Sequence, residues 1–307
     1  MLNEIQKKIL KEVADMAAIP EKGAVNIRSD GKKAFRQNSE HIEITSKTDK
    51  DGIDIRIQPG TKGEKVYIPV VVTESGRHDM VYNDFFVGEG ADVEIIAGCG
   101  IHNCGDCDSE HDGIHTFYVG KGAHITYVEK HYGEGEGQGK RILNPQTILF
   151  LEEGASATLE TVQIRGVDDT KRYTRAVVGE NAEFVIQEKL LTHGQQKAES
   201  EMDVFLNGAG SKTRVVSRSV AKDQSVQIFY PRVEGNCPCF GHVSCDAIIM
   251  GEARVRAIPE ITCNHVDAGL IHEAAIGKIA GEQILKLMTL GLTAEEAEEK
   301  ILEGFLR

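Results

Sequence analysis

Thiolate, imidazole and carboxylate are the protein groups that bind transition metals, and all three occur near the C-terminal end of this chain. Cys245 stands in GHVSCDAIIMG, while His272 and Glu273 open LIHEAAIGKIAGEQILKLM, which reads as a strongly helical segment. His272-Glu273 is not a zincin motif, because position 276 is Ile and no second histidine follows. A denser group is GCGIHNCGDCDSEHDGIH. There Cys99, Cys104 and Cys107 have the C-x4-C-x2-C spacing of plant-type ferredoxins, with His102, His111 and His115 among them. The fourth ferredoxin cysteine is missing, since the next is Cys237. The stretch therefore reads either as another metal or sulfur site or as a glycine-rich connection whose thiols pack. A third group, NCPCFGHVSC, holds Cys237, Cys239, His242 and Cys245, and Cys263 lies beside His265 further on. A strand from His242 puts His242, Ser244 and Asp246 on one face and Val243, Cys245 and Ala247 on the other. Cys237-Pro238-Cys239 is too cramped for easy shared ligation of one zinc, and a single cysteine here serves more often as a small buried hydrophobe.

Other chemistries are excluded. HYGEGEGQGKR imitates a phosphate loop, but Gly139-Lys140 is followed by Arg141, and position 134 is Glu where a Walker loop needs Gly. There is no G-x-S-x-G. Asp plus Glu number 48 against 35 Lys plus Arg, and the net charge of −13 argues against nucleic acid and anionic membrane as partners. No window approaches the ~18 apolar residues of a membrane span. The opening MLNEIQKKILKEVADMAAIP lacks the apolar core of a signal peptide, so a cytoplasmic location is expected. Seven cysteines there are reduced, and an odd count suits metal or sulfur chemistry better than a disulfide frame.

These candidates need elements to position them. Leu2, Ile5, Ile9, Val13 and Met16 recur on one face of an N-terminal helix that Pro20 should end. From about residue 24 to 255 short runs alternate apolar and polar residues, as in VNIRS, HIEITS and IDIRIQ, and these are strands. A phrase recurs, a small-residue turn followed by an alternating strand: VGEGADVEIIAG from Val87, VGKGAHITYVEK from Val119, LEEGASATLETV from Leu151, VGENAEFVIQEK from Val178, and a degraded LNGAGSKTRVVS from Leu206. The starts lie 32, 32, 27 and 28 residues apart. Such self-similarity indicates a β-solenoid whose coils share a core, with a β-sandwich as the competing arrangement. The C-terminal part is helical, with Ile276, Ile279, Leu287, Met288 and Leu290 as a buried face and Gly291 as a C-cap. Thr293 and Glu296 form a capping box for a last helix whose apolar side is Ile301, Leu302 and Phe305. The expected division is an N-terminal helix over 1–22, a β-helix core over 23–262 and a helical segment over 263–307.

HEAAIGKIAGEQILKLMTLGLTAEEAEEKILEGFL resembles the terminal signature of the SufB/SufD family, and CDAIIMG resembles the strand before it in SufB. The match is specific over about 240–307 and is mainly a texture of β-coils over about 60–240. The resemblance implies a right-handed parallel β-helix flanked by helical regions, acting as a non-catalytic scaffold that holds a transient iron–sulfur cluster between two β-helix subunits. Cys245 falls on the essential cysteine and Glu273 on the glutamate that assists it, with His272 as the adjoining histidine. Implied partners are a SufC-type ABC ATPase, for which Thr293, Ile301, Leu302 and Phe305 would form the dock, a cysteine desulfurase or other sulfur donor, and apo acceptor proteins. The chain is shorter than typical SufB, with its N-terminal helical region nearly absent, and Cys99, Cys104 and Cys107 match no SufB pattern. A short chain combining Cys, His and Glu could serve as a homodimer, two copies supplying a full ligand shell. Two other readings are a metal-dependent enzyme on a β-solenoid and a purely structural solenoid. The donor set itself suits transient holding, since carboxylate and imidazole are harder and more exchangeable ligands than thiolate.

Overall fold

Alternating strands separated by glycine turns can bury one face only by stacking on the next turn of chain. The computed structural model, which describes residues 2–306, shows that arrangement. Successive turns feed two 11-stranded sheets in alternation. The result is a β-solenoid of about 8 turns, so the sandwich alternative falls. The recurring phrase is the ladder itself. Val87 pairs with Val119, Val119 with Leu151, Leu151 with Val178, and Val178 with Leu206.

Because pairing is parallel and in register, each inward position repeats from coil to coil. One wall stacks Ile55, Phe85, Phe117, Leu149, Ala176, Val204 and Val233. The other stacks Ile95, Tyr127, Leu159, Ile186, Val215 and Val243. All of these side chains belong to one buried cluster. Each large aliphatic or aromatic residue so buried contributes about 1.5–3 kcal/mol.

The two ends differ. At the first coil the hairpin Ala24–Ser29/Lys32–Gln37 turns at Asp30-Gly31, both with positive φ, and Ile42–Ser46 pairs antiparallel with Gly52–Ile57. These antiparallel strands close that end. At the other end the strand Ala268–Gly277 pairs with Cys239–Ile249, and among the described residues no further strand pairs with its outer edge. The helical reading of 270–280 is thus corrected: IHEAAIG is a strand. Its Ala and Glu favour a helix locally, but a ready parallel partner outweighs propensity. The helices that follow are short, and neither they nor the N-terminal one is long and apolar enough to cross a membrane.

Helix α1, Glu4–Ala14, begins with a capping box between Asn3 and Gln6. It ends at Asp15 (φ 53°), well before Pro20, because Asp15 adopts the left-handed conformation and its carboxylate accepts from Lys130 Nζ at 2.6 Å. Ile9 and Val13 seat on the outer face of the strand Asp92–His102, where Gly98 and Gly100 leave room. A Cβ on Gly98 would stand 2.1 Å from the Val13 carbonyl oxygen. Gly98→Ala is therefore expected to lift α1, cost about 1–3 kcal/mol, and speed amide exchange in residues 4–14 while later coils stay protected. Unchanged protection of the Ile9 and Val13 amides would show that the helix is not seated there.

Candidate functional site

Alternation in Cys239–Ile249 turns Val243, Cys245 and Ala247 inward, as the sequence predicts. Val243 pairs with His272 and Cys245 with Ala274 on the edge strand. This offset brings His272 Nε2 to 3.4 Å from Cys245 Sγ. Burial pushes the Cys245 thiol up to about 12, and the charges of Glu188 and Asp246 add to the effect. Burial likewise holds His272 below its ordinary value despite Glu273. Near neutral pH both groups are uncharged and share a hydrogen bond. A metal arriving here must displace a proton.

Glu273 turns the other way. It sits outside the wall, where its Oε1 lies 3.1 Å from His242 Nε2. Cys245 and His272 are therefore brought together and Glu273 is not. Among the described residues, no three Cys, His, Asp or Glu side chains converge on a point that could hold one ion.

A second centre lies inside the earlier coils. The pair Cys99↔His131 and the pair Asp79↔His111 face each other from opposite walls. His111 Nδ1–H donates to Asp79 Oδ2 at 3.1 Å, and Arg28 Nη2 donates to Asp79 Oδ1 at 2.6 Å. The Nε2 atoms of His111 and His131 are buried without a hydrogen-bonded nitrogen or oxygen; His111 feels the charges of Cys99 and Asp79, and His131 that of Glu129, whose Oε1 lies 3.6 Å from its Nε2. Burial alone would raise the Cys99 thiol; His111 and His131 outweigh it and bring it down to about 7. Burial alone would lower His111, but Cys99 and Asp79 raise it to about 10. His115, lacking such a partner, is pushed down to about 4 by burial.

From there a polar column runs along one wall: Glu129, Thr161, Glu188, Ser217 and Cys245 are consecutive in register. Arg172, buried between the carboxylates, donates to Glu129 and lies 3.8 Å from Glu188. Ser200 and Ser217 donate to Glu188 at 2.8 and 3.2 Å. Sequence reading missed Asp79, Glu129, His131, Arg172 and Glu188. The signal was present: each shares parity with apolar neighbours that face inward, as Glu129 and His131 do with Ile125 and Tyr127.

A family model described as "SUF system FeS cluster assembly, SufBD core domain" matches residues 72–305. This chain belongs to the SufBD family. Its curated relatives include an iron–sulfur cluster assembly SufBD family protein of Archaeoglobus fulgidus, 28% identical over 273 residues, covering 88% of this chain and 72% of the relative. A namesake in Methanothermobacter thermautotrophicus (strain Delta H) is 32% identical over 262 residues, 83% of this chain and 62% of the relative. Another in Methanocaldococcus jannaschii is 26% identical over 251 residues, 80% of this chain and 78% of the relative. The chain thus spans from under two thirds to just over three quarters of these proteins.

The remaining expected positions of this SufBD chain fall as follows. The Cys237 thiol donates to the carbonyls of Leu206 and Gly208 at 3.3 and 2.9 Å, which occupies it in the turn. Cys239 is buried, whereas Cys263, Cys104 and Cys107 are exposed. Helix α2 spans Gly281–Met288 and helix α3 spans Ala294–Phe305, the latter with the expected Thr293–Glu296 capping box. Leu302 is only 5% exposed, so it holds α3 down rather than facing a partner. The outward apolar residues are Leu285 (61%), Met288 and Leu290 (76%). Ile276, placed by sequence in a buried helical face, lies exposed on the edge strand.

The thiolate absorbance lost in Cys99→Ser should titrate near pH 7 and move upward in His111→Phe. The Cys99 contribution to stability is complete above its unfolded value of 9.0 and is lost as pH falls through about 7. That of His111 is complete below 6.5 and is lost as pH rises through about 10. Cys245 should resist iodoacetamide at neutral pH, far behind Cys263, by timed labelling and mass mapping.

Proposed function

We propose that this chain is a scaffold on which an iron–sulfur cluster, its cargo, is built and then passed on. The observation that carries the reading is the Cys245–His272 pair beside an open sheet edge. One soft and one harder donor in a single chain make an incomplete shell. Completion across a homodimer is supported by three features of that end: the unpaired outer edge of Ala268–Gly277, the exposed Ile271 and Ile276 on it, and an outward Glu273 that a second copy could bring to the site. An unpaired edge is a surface that a partner strand or subunit covers. On this reading the chain does no chemistry of its own on a small substrate. Sulfur comes from a donor such as a cysteine desulfurase, and the finished cluster goes to apo acceptor proteins.

Anaerobic reconstitution with iron and sulfide, read by absorption and Mössbauer spectroscopy, tests the assignment. Wild type should take up a cluster and sediment as a dimer when loaded, and Cys245→Ser should lose nearly all bound iron and sulfide. Full iron and sulfide content in Cys245→Ser would sink it.

The ATPase dock belongs to α2 and α3 on this reading. It is supported by exposed Leu285, Met288 and Leu290 next to a well-capped helix, an apolar face that a groove or helix of a partner could cover. Leu285→Glu, or deletion of 292–307, should abolish co-purification with a SufC-type ATPase while the solenoid keeps its β-type circular dichroism. Retained binding in both variants would make the helices a cap only.

A further inference from the structure

The two hairpins that end the sheets at the first coil leave a cavity of about 140 Å³ between them. Its floor is apolar, set by the buried side chains of Ile53, Ile68 and Val81. Its rim is basic: Arg28, Lys33, Arg36, Lys47 and Lys50 line it, and the one carboxylate among the described lining residues is Asp51. This concentration of cations runs against a net charge of −13 for the whole chain. Two of the cations are already neutralised. Arg28 Nη2 donates to Asp79 at 2.6 Å and lies 3.6 Å from Asp51, while Lys47 is paired with Asp54 and Asp84.

The other cations lack such partners. Arg36 Nε–H donates to Asn26 Oδ1 at 2.8 Å, and its Nη1–H donates to Ser46 Oγ at 3.0 Å. Both acceptors are neutral, and burial holds the guanidinium below its ordinary value with no carboxylate to offset it. Asn26 and Ser46 take two of its N–H groups, so the rest of the fork remains for an acceptor in the cavity. Arg36 belongs to the last strand of one sheet and Ser46 to the last strand of the other, so this side chain spans the mouth. The Lys50 ammonium stands over the Tyr82 ring, 4.2 Å from its centroid, and Lys33 is exposed; neither forms an ion pair among the described residues. A planar fork flanked by ammonium groups matches the geometry of an oxyanion, and an apolar floor strengthens the attraction. The volume of about 140 Å³ falls below the range of about 300 Å³ upward in which pockets for larger ligands lie, which suits a small ion and not a nucleotide.

We propose that the first-coil cavity binds a small, free, doubly charged oxyanion of the phosphate or sulfate class, held by Arg36, Lys33 and Lys50. The site goes beyond the scaffold reading and does not depend on it. Most of its residues precede residue 72, where the match to the family model begins. The ion joins the two end hairpins: Lys33 and Arg36 come from Lys32–Gln37, and Lys50 from the turn between Ile42–Ser46 and Gly52–Ile57. Occupation therefore fastens the first coil, at the opposite end of the solenoid from Cys245.

Equilibrium dialysis of the full-length chain against radiolabelled inorganic phosphate, with ionic strength fixed by chloride, should show a single saturable site that sulfate competes for. Arg36→Gln should weaken binding about tenfold or more, and so should the double substitution Lys33→Gln with Lys50→Gln, which touches only exposed side chains. Asp51→Asn, by removing the carboxylate in the rim, should tighten it about twofold. Phosphate should also slow amide exchange in 32–37 and 42–46 and leave 239–249 unchanged. Absence of saturable binding, or wild-type affinity in both the arginine and the double lysine variants, would overturn the site. Should Arg36→Gln fail to fold, the double lysine variant decides alone, and wild-type affinity there is enough to sink the proposal. Stronger competition by phosphoserine than by phosphate would overturn the assignment to a free ion. Cluster reconstitution from iron and sulfide without phosphate should proceed unchanged, so a failure of the scaffold reading leaves the anion site standing.

Discussion

Coil-on-coil parallel register is the constraint on which the rest of this molecule depends. In a stack of parallel strands a side chain meets the residue at its own position one turn earlier and one turn later, on the same face. Apolar columns then build a continuous core without long-range ingenuity, and the outside follows the same rule. Phe86, Tyr118 and Phe150 share one outward column and stack at 5.3 and 5.5 Å. A one-residue slip in any coil would exchange both faces at once. The glycine turns that open each repeat fix the register where neighbouring coils touch backbone to backbone.

The same constraint makes the polar interior intelligible. A carboxylate placed inward has no water, so its neighbours in the adjacent coils must satisfy it. Glu129 is bonded by Tyr127 and Arg172, and Glu188 by Ser200 and Ser217, with Arg172 lying between the two carboxylates. An apolar filling would cost less, so this column is a poor device for stability alone. It also sets two thiols in opposite electrostatic surroundings. Cys99 faces imidazoles that favour the thiolate, while Cys245 faces carboxylates and burial that favour the thiol. One fold thus brings one cysteine to its titration point near neutral pH and keeps the other protonated.

How much of this was legible follows from which forces are local. The repeat from Val87 to Leu206 was readable because ladder register is sequence spacing in a solenoid. The face of Cys245 was readable from period-two alternation. The strand of His272 was not, because Ala-rich IHEAAIG carries helical propensity and only the partner strand Cys239–Ile249 decides otherwise. Nor was Glu273's direction: read as one helical turn, His272 and Glu273 look like joint ligands, but in a strand consecutive residues must part. Glu134, 32 residues from His102 in sequence, could be joined to it only once the coil length was known.

The asymmetry of the two ends connects fold to function. At the first coil the two sheets end in hairpin partners, Lys32–Gln37 and Ile42–Ser46, that run antiparallel to the coil strands beside them. The last coil leaves one edge of Ala268–Gly277 unpaired and places a thiol and an imidazole just behind it. Solenoids tolerate an open edge only at a cost in solubility, and proteins normally blunt it. Here the edge strand bears Glu273 on its outer face, paired with His242 of the strand beside it, rather than lysines or a bulge, and among the described residues its ligands are too few to hold an ion alone. A closed end would have made a more stable rod, whereas an end with incomplete ligands is suited to receiving a second surface and to releasing what the two hold between them.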